Sequence, residues 1–194
     1  MELTINSISA TALGIALAAC CGFRVFVPLL IAGLASKFQM FQFADSFGWM
    51  STTPALIGLG AATVLEIGGY YIPIVDNFLD TISAPAATVA GTLLATSVIP
   101  IETDWMRWMI GIIAGGGGAG ILASGMGLLR LFSSKTTLGA GNAVVSTTEN
   151  AAAIGGSLLS FLIPIVMAIL LLLLAFWIGG KVWRKVVKSR TVKE

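Results

Sequence analysis

Histidine is absent from this chain of 194 residues, and its only two cysteines, Cys20 and Cys21, are adjacent. Without histidine the usual general base near neutral pH is missing, and with it most transition-metal sites. Neighbouring cysteines in an apolar run exclude a disulfide framework and a CxxC redox or zinc motif. They read as small buried hydrophobes, and no cofactor is called for. Charge is scarce as well. Charged residues make up 10% of the chain against 57% hydrophobic, with a mean hydropathy of +0.96. A water-soluble surface needs far more charge, so the composition points to an all-α integral membrane protein.

Enzymatic chemistry finds little support. A serine hydrolase lacks both its histidine and a Gly-x-Ser-x-Gly elbow. The Tyr-Asp and Gly-x-Gly-Asp contexts of an intramembrane aspartyl protease are missing too. The reading is therefore of a protein that is not an enzyme.

What the chain does have is a series of apolar runs near the 20 residues that a spanning helix needs. The expected spans are 13–34, 55–75, 81–101, 108–129 and 151–180, giving a compact bundle of four or five transmembrane helices. Residues 1–180 form one membrane-embedded domain and 181–194 a basic tail. The N-terminal run lacks a basic n-region, so it reads as a permanent span rather than a signal peptide. Pro28 and Pro164 are candidate kinks. The run 81–101, rich in Ala, Thr, Ser and Gly, fits either a packed span or a re-entrant segment. Phe38 to Trp49 and Trp105 with Trp108 mark interfacial connections. The glycine run 115–120 is no P-loop, because no GK[ST] follows it. Its small-xxx-small spacing at Gly116 and Gly120 favours close helix packing and a homo-oligomer through Gly-rich faces.

Six of the eleven basic residues lie in the last fourteen positions: Lys181, Arg184, Lys185, Lys188, Arg190 and Lys193. The positive-inside rule puts this tail in the cytoplasm, where anionic lipid headgroups are a natural partner. Nucleic acid is a poor one, since no recognition motif accompanies the tail. Five spans would put Lys37 and Arg107 inside but Arg130 and Lys135 outside, against the rule unless Arg130 is paired within the protein.

Residues 77–91 and 142–156 share a spacing of small and hydroxyl residues, as at Thr81 and Ser146 or Ser83 and Thr148. Such a weak internal repeat implies two helix–loop–helix units with both loops on one side. Repeats of this kind recur in transporters.

Several motifs point to a family. Gly22-Phe23-Arg24-Val25-Phe26-Val27-Pro28, the segment Glu66 to Asp80 followed by Pro85 and Gly91, the glycine run with Leu129-Arg130, and Gly141-Asn142 with Ser146-Thr147-Thr148-Glu149 resemble the uncharacterised bacterial membrane family called domain of unknown function 4126. The resemblance spans nearly the whole chain. It implies a multi-pass protein of the bacterial inner membrane and supplies no substrate.

Arg24, Glu66, Asp76, Asp80, Arg130 and Glu149 sit within or beside apolar segments. A charge near the bilayer centre costs about 2.5–3.5 kcal/mol on insertion scales, so it seeks a partner or a wet cavity. Asp76 and Asp80, four apart, share a helix face and repel unless a cation, a proton or an arginine lies between them. Glu66, Asn77, Asn142 and Glu149 complete the candidate binding set, with Tyr70, Tyr71, Thr81 and Ser146 as further oxygens. Arg24 and Arg130 are expected to pair with carboxylates, Glu66 or Asp80 first among them. Glu149 is equally placed to cap the last helix. Two roles fit: a transporter or channel for a small cation or proton-coupled solute, or a scaffold or lipid-binding protein whose buried charges are structural.

Overall fold

The computed structural model describes residues 2–137 and 141–191, with side chains for 7–72, 74–133, 141–181 and Arg184. Helices account for nearly all of it, and no strand occurs among the described residues. In chain order they are α1 (Glu2–Cys20), α2 (Phe26–Lys37), a 3-10 turn (Asp45–Ser51), α3 (Thr53–Gly69), α4 (Pro73–Val98), α5 (Asp104–Ile110), a π-helical segment (Gly111–Gly116), α6 (Gly117–Thr137), α7 (Asn142–Leu162) and α8 (Pro164–Thr191). Three stretches are long and apolar enough to cross a membrane: Ile74–Val98, Asp104–Ser133 and Pro164–Lys181. The bent pair Asp45–Ser51 and Thr53–Gly69 makes a fourth if counted as one span. At 1.5 Å per residue, the 25 residues of Ile74–Val98 reach about 37 Å, more than a hydrocarbon core.

The chain runs back and forth between two ends. Gly14 on α1 packs beside Val98 at the C-terminal end of α4, and a Cβ at Gly91 would lie 3.2 Å from the Ala18 carbonyl oxygen. Thus α1 climbs antiparallel to α4. Its tip at Gly22 meets Ala119 and Leu122 of α6. The chain then returns, because the Ala44 amide donates to the Ser97 carbonyl at 2.8 Å and Phe41 stacks on Phe161 of α7. A single span over 13–34 is therefore replaced by a helical hairpin, α1 and α2, that turns inside the bundle at Cys21–Val25. Glycine and arginine make that turn. Pro28 falls in the first turn of α2, where a missing N–H costs nothing, so it does not kink the run.

Other boundaries shift as well. The polar stretch 141–150 is the start of α7, not a loop, and Asp76 to Asp80 lie inside α4 rather than between spans. The run 151–180 breaks at Ile163, whose φ of −136° and ψ of 62° leave the helix just before Pro164. From there α8 runs back beside α1 and α6: Ala168 and Leu171 cluster with Ala12 and Ala16, and Ile178 packs on Gly125. The aromatic connection after α2 is partly core. Phe43 and Phe47 are buried, whereas Phe38 and Trp49 are exposed.

The tightest interface joins α4 to the glycine run. Thr88, Thr92 and Thr96, spaced by four, put their hydroxyl oxygens over Gly120, Gly116 and Gly111. The last two glycines are five apart, and the π turn absorbs the extra residue so that both stay under a threonine. A Cβ at Gly115 would lie 2.5 Å from Ala95 Cβ and 2.6 Å from the Gly91 carbonyl oxygen. This is backbone-to-backbone packing of the kind small residues allow.

Candidate functional site

Two breaks in the first half of the bundle, α1–α2 and α3–α4, face the same place. The α1–α2 turn brings Arg24, the α3–α4 turn brings Tyr70 and Tyr71, and α4 brings Asp76 and Asp80 in its first two turns. The C-terminal half of α6 supplies Arg130, and α7 supplies Asn142, Ser146, Glu149 and Asn150. Gly68-Gly69 and Pro73 explain the second break: glycines end α3, and a proline starts α4 where its missing N–H is free.

Arg130 is the hub, with only 2% of its surface exposed. Its Nη1 donates to Asp80 Oδ1 at 2.6 Å and to Asp76 Oδ1 at 3.2 Å. Its other edge grips Glu149 in bidentate fashion, Nε to Oε1 at 3.2 Å and Nη2 to Oε2. An arginine is thus what lies between the two aspartates. Arg24, 1% exposed, reaches Glu149 Oε2 at 2.9 Å through Nη1, Asn150 Oδ1 at 2.6 Å through Nε, and the Ser146 carbonyl at 3.2 Å through Nη2. Both guanidinium carbons lie over the Tyr70 ring, at 3.9 Å for Arg24 and 3.8 Å for Arg130 from its centroid. A cation over an aromatic face gains on the order of 1–2 kcal/mol when desolvated.

Glu66 pairs with neither arginine at salt-bridge distance. Its carboxylate accepts from the Val25 amide at 2.6 Å and the Phe26 amide at 3.0 Å, capping α2 from a neighbouring helix. Those amides have no partner within α2, and its N-terminal dipole favours an anion there. Asp76 lies in the first turn of α4, another favourable N-terminus, and accepts from Asn142 Nδ2 at 3.1 Å through Oδ2. Glu149 sits two turns into α7 and does not cap it; it bridges the two arginines. Asn77 is exposed.

The sequence did not single out Asn150 or Thr147 as contributors, nor Tyr70 as an aromatic platform. Asn150 binds Arg24 and, through Nδ2, the Tyr71 hydroxyl at 3.3 Å; that hydroxyl meets Thr147 Oγ1 at 2.9 Å. The signal for Asn150 was its spacing: Asn142, Ser146, Glu149 and Asn150 form one stripe once α7 begins at Asn142. No group of three or more His, Cys, Asp or Glu side chains among the described residues is arranged to hold a metal ion. The cluster binds its own cations instead.

Fold and site together define a helical protein with membrane-length apolar segments, broken around a buried charge network. The chain belongs to the family described as Domain of unknown function (DUF4126), whose model matches residues 11–184. Neither the curated proteins nor the solved structures offer a match.

Proposed function

We propose that this chain is an integral membrane transporter or channel for a small cation or a proton-coupled small solute, working through the buried cluster of Glu66, Asp76, Asp80, Glu149, Arg24 and Arg130. The observation that carries the reading is convergence. The N-termini of α2, α4 and α7 all meet at the cluster, and discontinuous helices aimed at a buried site are how many transporters build theirs. Four carboxylates also outnumber two guanidinium groups there, an excess that a purely structural pairing does not need.

Placed in a bilayer, α3, α4, α5–α6, α7 and α8 make five crossings, and α1–α2 is a re-entrant hairpin. The termini then lie on opposite sides. A cytoplasmic C-terminus puts Arg130 on the cytoplasmic half and Lys37 and Arg107 outside. The inner membrane of a bacterium is the expected location, with the basic tail on its cytoplasmic side. The α3–α4 and α6–α7 pairs run in the same directions, as a parallel repeat would, and meet through Asn142 and Asp76. The basic tail would bind anionic headgroups on the cytoplasmic side.

A scaffold role is the second reading, favoured by one observation: each carboxylate of the cluster already has a partner. Proteoliposome flux separates the two. Wild type should carry an ion or proton current across a panel of cations, and Asp80→Asn should lose it while keeping its helical content and monodispersity. A wild type without flux across the panel favours the scaffold.

A further inference from the structure

The composition of the cluster says which ion it takes. Glu66 is answered by two backbone amides, which leaves Asp76, Asp80 and Glu149 facing Arg24 and Arg130. Among the described residues, one negative charge is in excess. The N-terminus of α4 offsets part of it, about half an elementary charge at best, and Tyr70 adds only the face of a ring. An uncompensated buried charge is costly unless it is neutralised. A metal ion has no seat, because the Arg130 guanidinium occupies the space between the two aspartates.

A second observation points the same way. Ser146 is fully buried, and its hydroxyl has no hydrogen-bond partner. It stands on α7 one turn after Asn142, which binds Asp76, and one turn before Glu149, which binds Arg130, so it faces the cluster. A buried hydroxyl left unpaired costs about 1–3 kcal/mol, so a group bound in the cluster within its reach would be held by it. A neutral carboxylic acid, which both donates and accepts, is such a group.

We propose that the site binds a proton on the Asp76–Asp80 pair, and that its arrival loosens the hold of α4 on Arg130, leaving Asp76 as its one charged partner there. The inference rests on the transport reading and names its ion. Asp80 receives the proton, since its side chain is 23% exposed against 6% for Asp76, 2% for Arg130 and 1% for Glu149. A hydronium O–H bond breaks, an O–H bond forms on the Asp80 carboxylate, and water leaves. Neutral Asp80 no longer holds Arg130 by charge, while Glu149 keeps its bidentate grip. Arg130 therefore stays with α7, and its tie to α4 is reduced to the longer contact with Asp76, 3.2 Å. That exchange couples proton entry to the contact between the α3–α4 and α6–α7 pairs.

Infrared difference spectroscopy on the full-length protein in lipid, stepped from about pH 9 to about pH 5 to cover the range of buried carboxyls, reads the proton directly. The expected result is a neutral-acid carbonyl band in wild type that moves with isotope-labelled aspartate but not with labelled glutamate. The band should be lost in Asp80→Asn, displaced in Ser146→Ala, and unchanged in the exposed Asp45→Asn. If Asp80→Asn fails to fold, the aspartate labelling still decides. No band, a band that follows glutamate, or a sodium-dependent carboxylate signal in its place overturns the proposal. Proton binding without solute flux would sink the transport reading and leave this one standing; flux without proton binding would do the reverse.

Discussion

Two regions of this bundle are held by opposite means. Between α4 and the glycine run, contact is made by backbones brought together through Gly91, Gly111, Gly115, Gly116 and Gly120. No charge takes part. At the other end of α4 the same helices are joined by Arg130, Asp76 and Asp80, with α7 adding Glu149. The first contact is rigid, because packed cores have no second arrangement close by. The second has alternatives, because a guanidinium can trade one carboxylate for another. A helix pinned at one end and switchable at the other is suited to a pivoting motion, and the lesson lies in where each chemistry is placed.

The comparison breaks most severely at Glu149. Glu149→Ala leaves two buried guanidinium groups without their shared carboxylate, and breaking a buried pair costs about 3–5 kcal/mol. Unfolding in mixed micelles should show that loss, and Glu149→Gln should recover part of it by keeping the acceptor oxygen. At the glycine interface, Gly115→Ala meets Ala95 Cβ and the Gly91 carbonyl inside contact distance. Overpacking of this kind costs about 1–3 kcal/mol, and the same unfolding assay should report it without any change in the aspartate infrared band. Smallest is the pair Arg107–Asp104, in which the Asp104 side chain is 78% exposed. A pair with so exposed a carboxylate is worth about 0.2–1 kcal/mol, so Asp104→Ala should barely move the midpoint.

Much of this was legible in the residues. The apolar runs and their glycine spacing announced membrane-length helices and close packing, and Asp76 with Asp80 announced a shared face. The α1–α2 hairpin was not legible. Periodicity and hydropathy measure apolar length, and 13–34 is apolar throughout except for Arg24; reversal depends on Glu66, some forty residues away, capping α2. Glu149 was misplaced because Asn142 to Asn150 is polar and reads as a loop in a lipid-facing scale. Ser146 and Glu149 within it are buried beside the arginines, which no local scale registers. Tyr70 was counted for its hydroxyl, while its ring is what the two guanidinium groups use.

The proposal of transport through the cluster requires that the cluster open to water, and the buried position of Ser146 offers the most direct measurement. With Cys20 and Cys21 replaced by alanine, Ser146→Cys in oriented vesicles is exposed to a membrane-impermeant thiol reagent from each side, with and without an imposed pH gradient. The account predicts modification from the cytoplasmic side at a rate that changes severalfold when the gradient is applied. A thiol that stays unreactive from both sides under every gradient, in protein that remains folded, would contradict it.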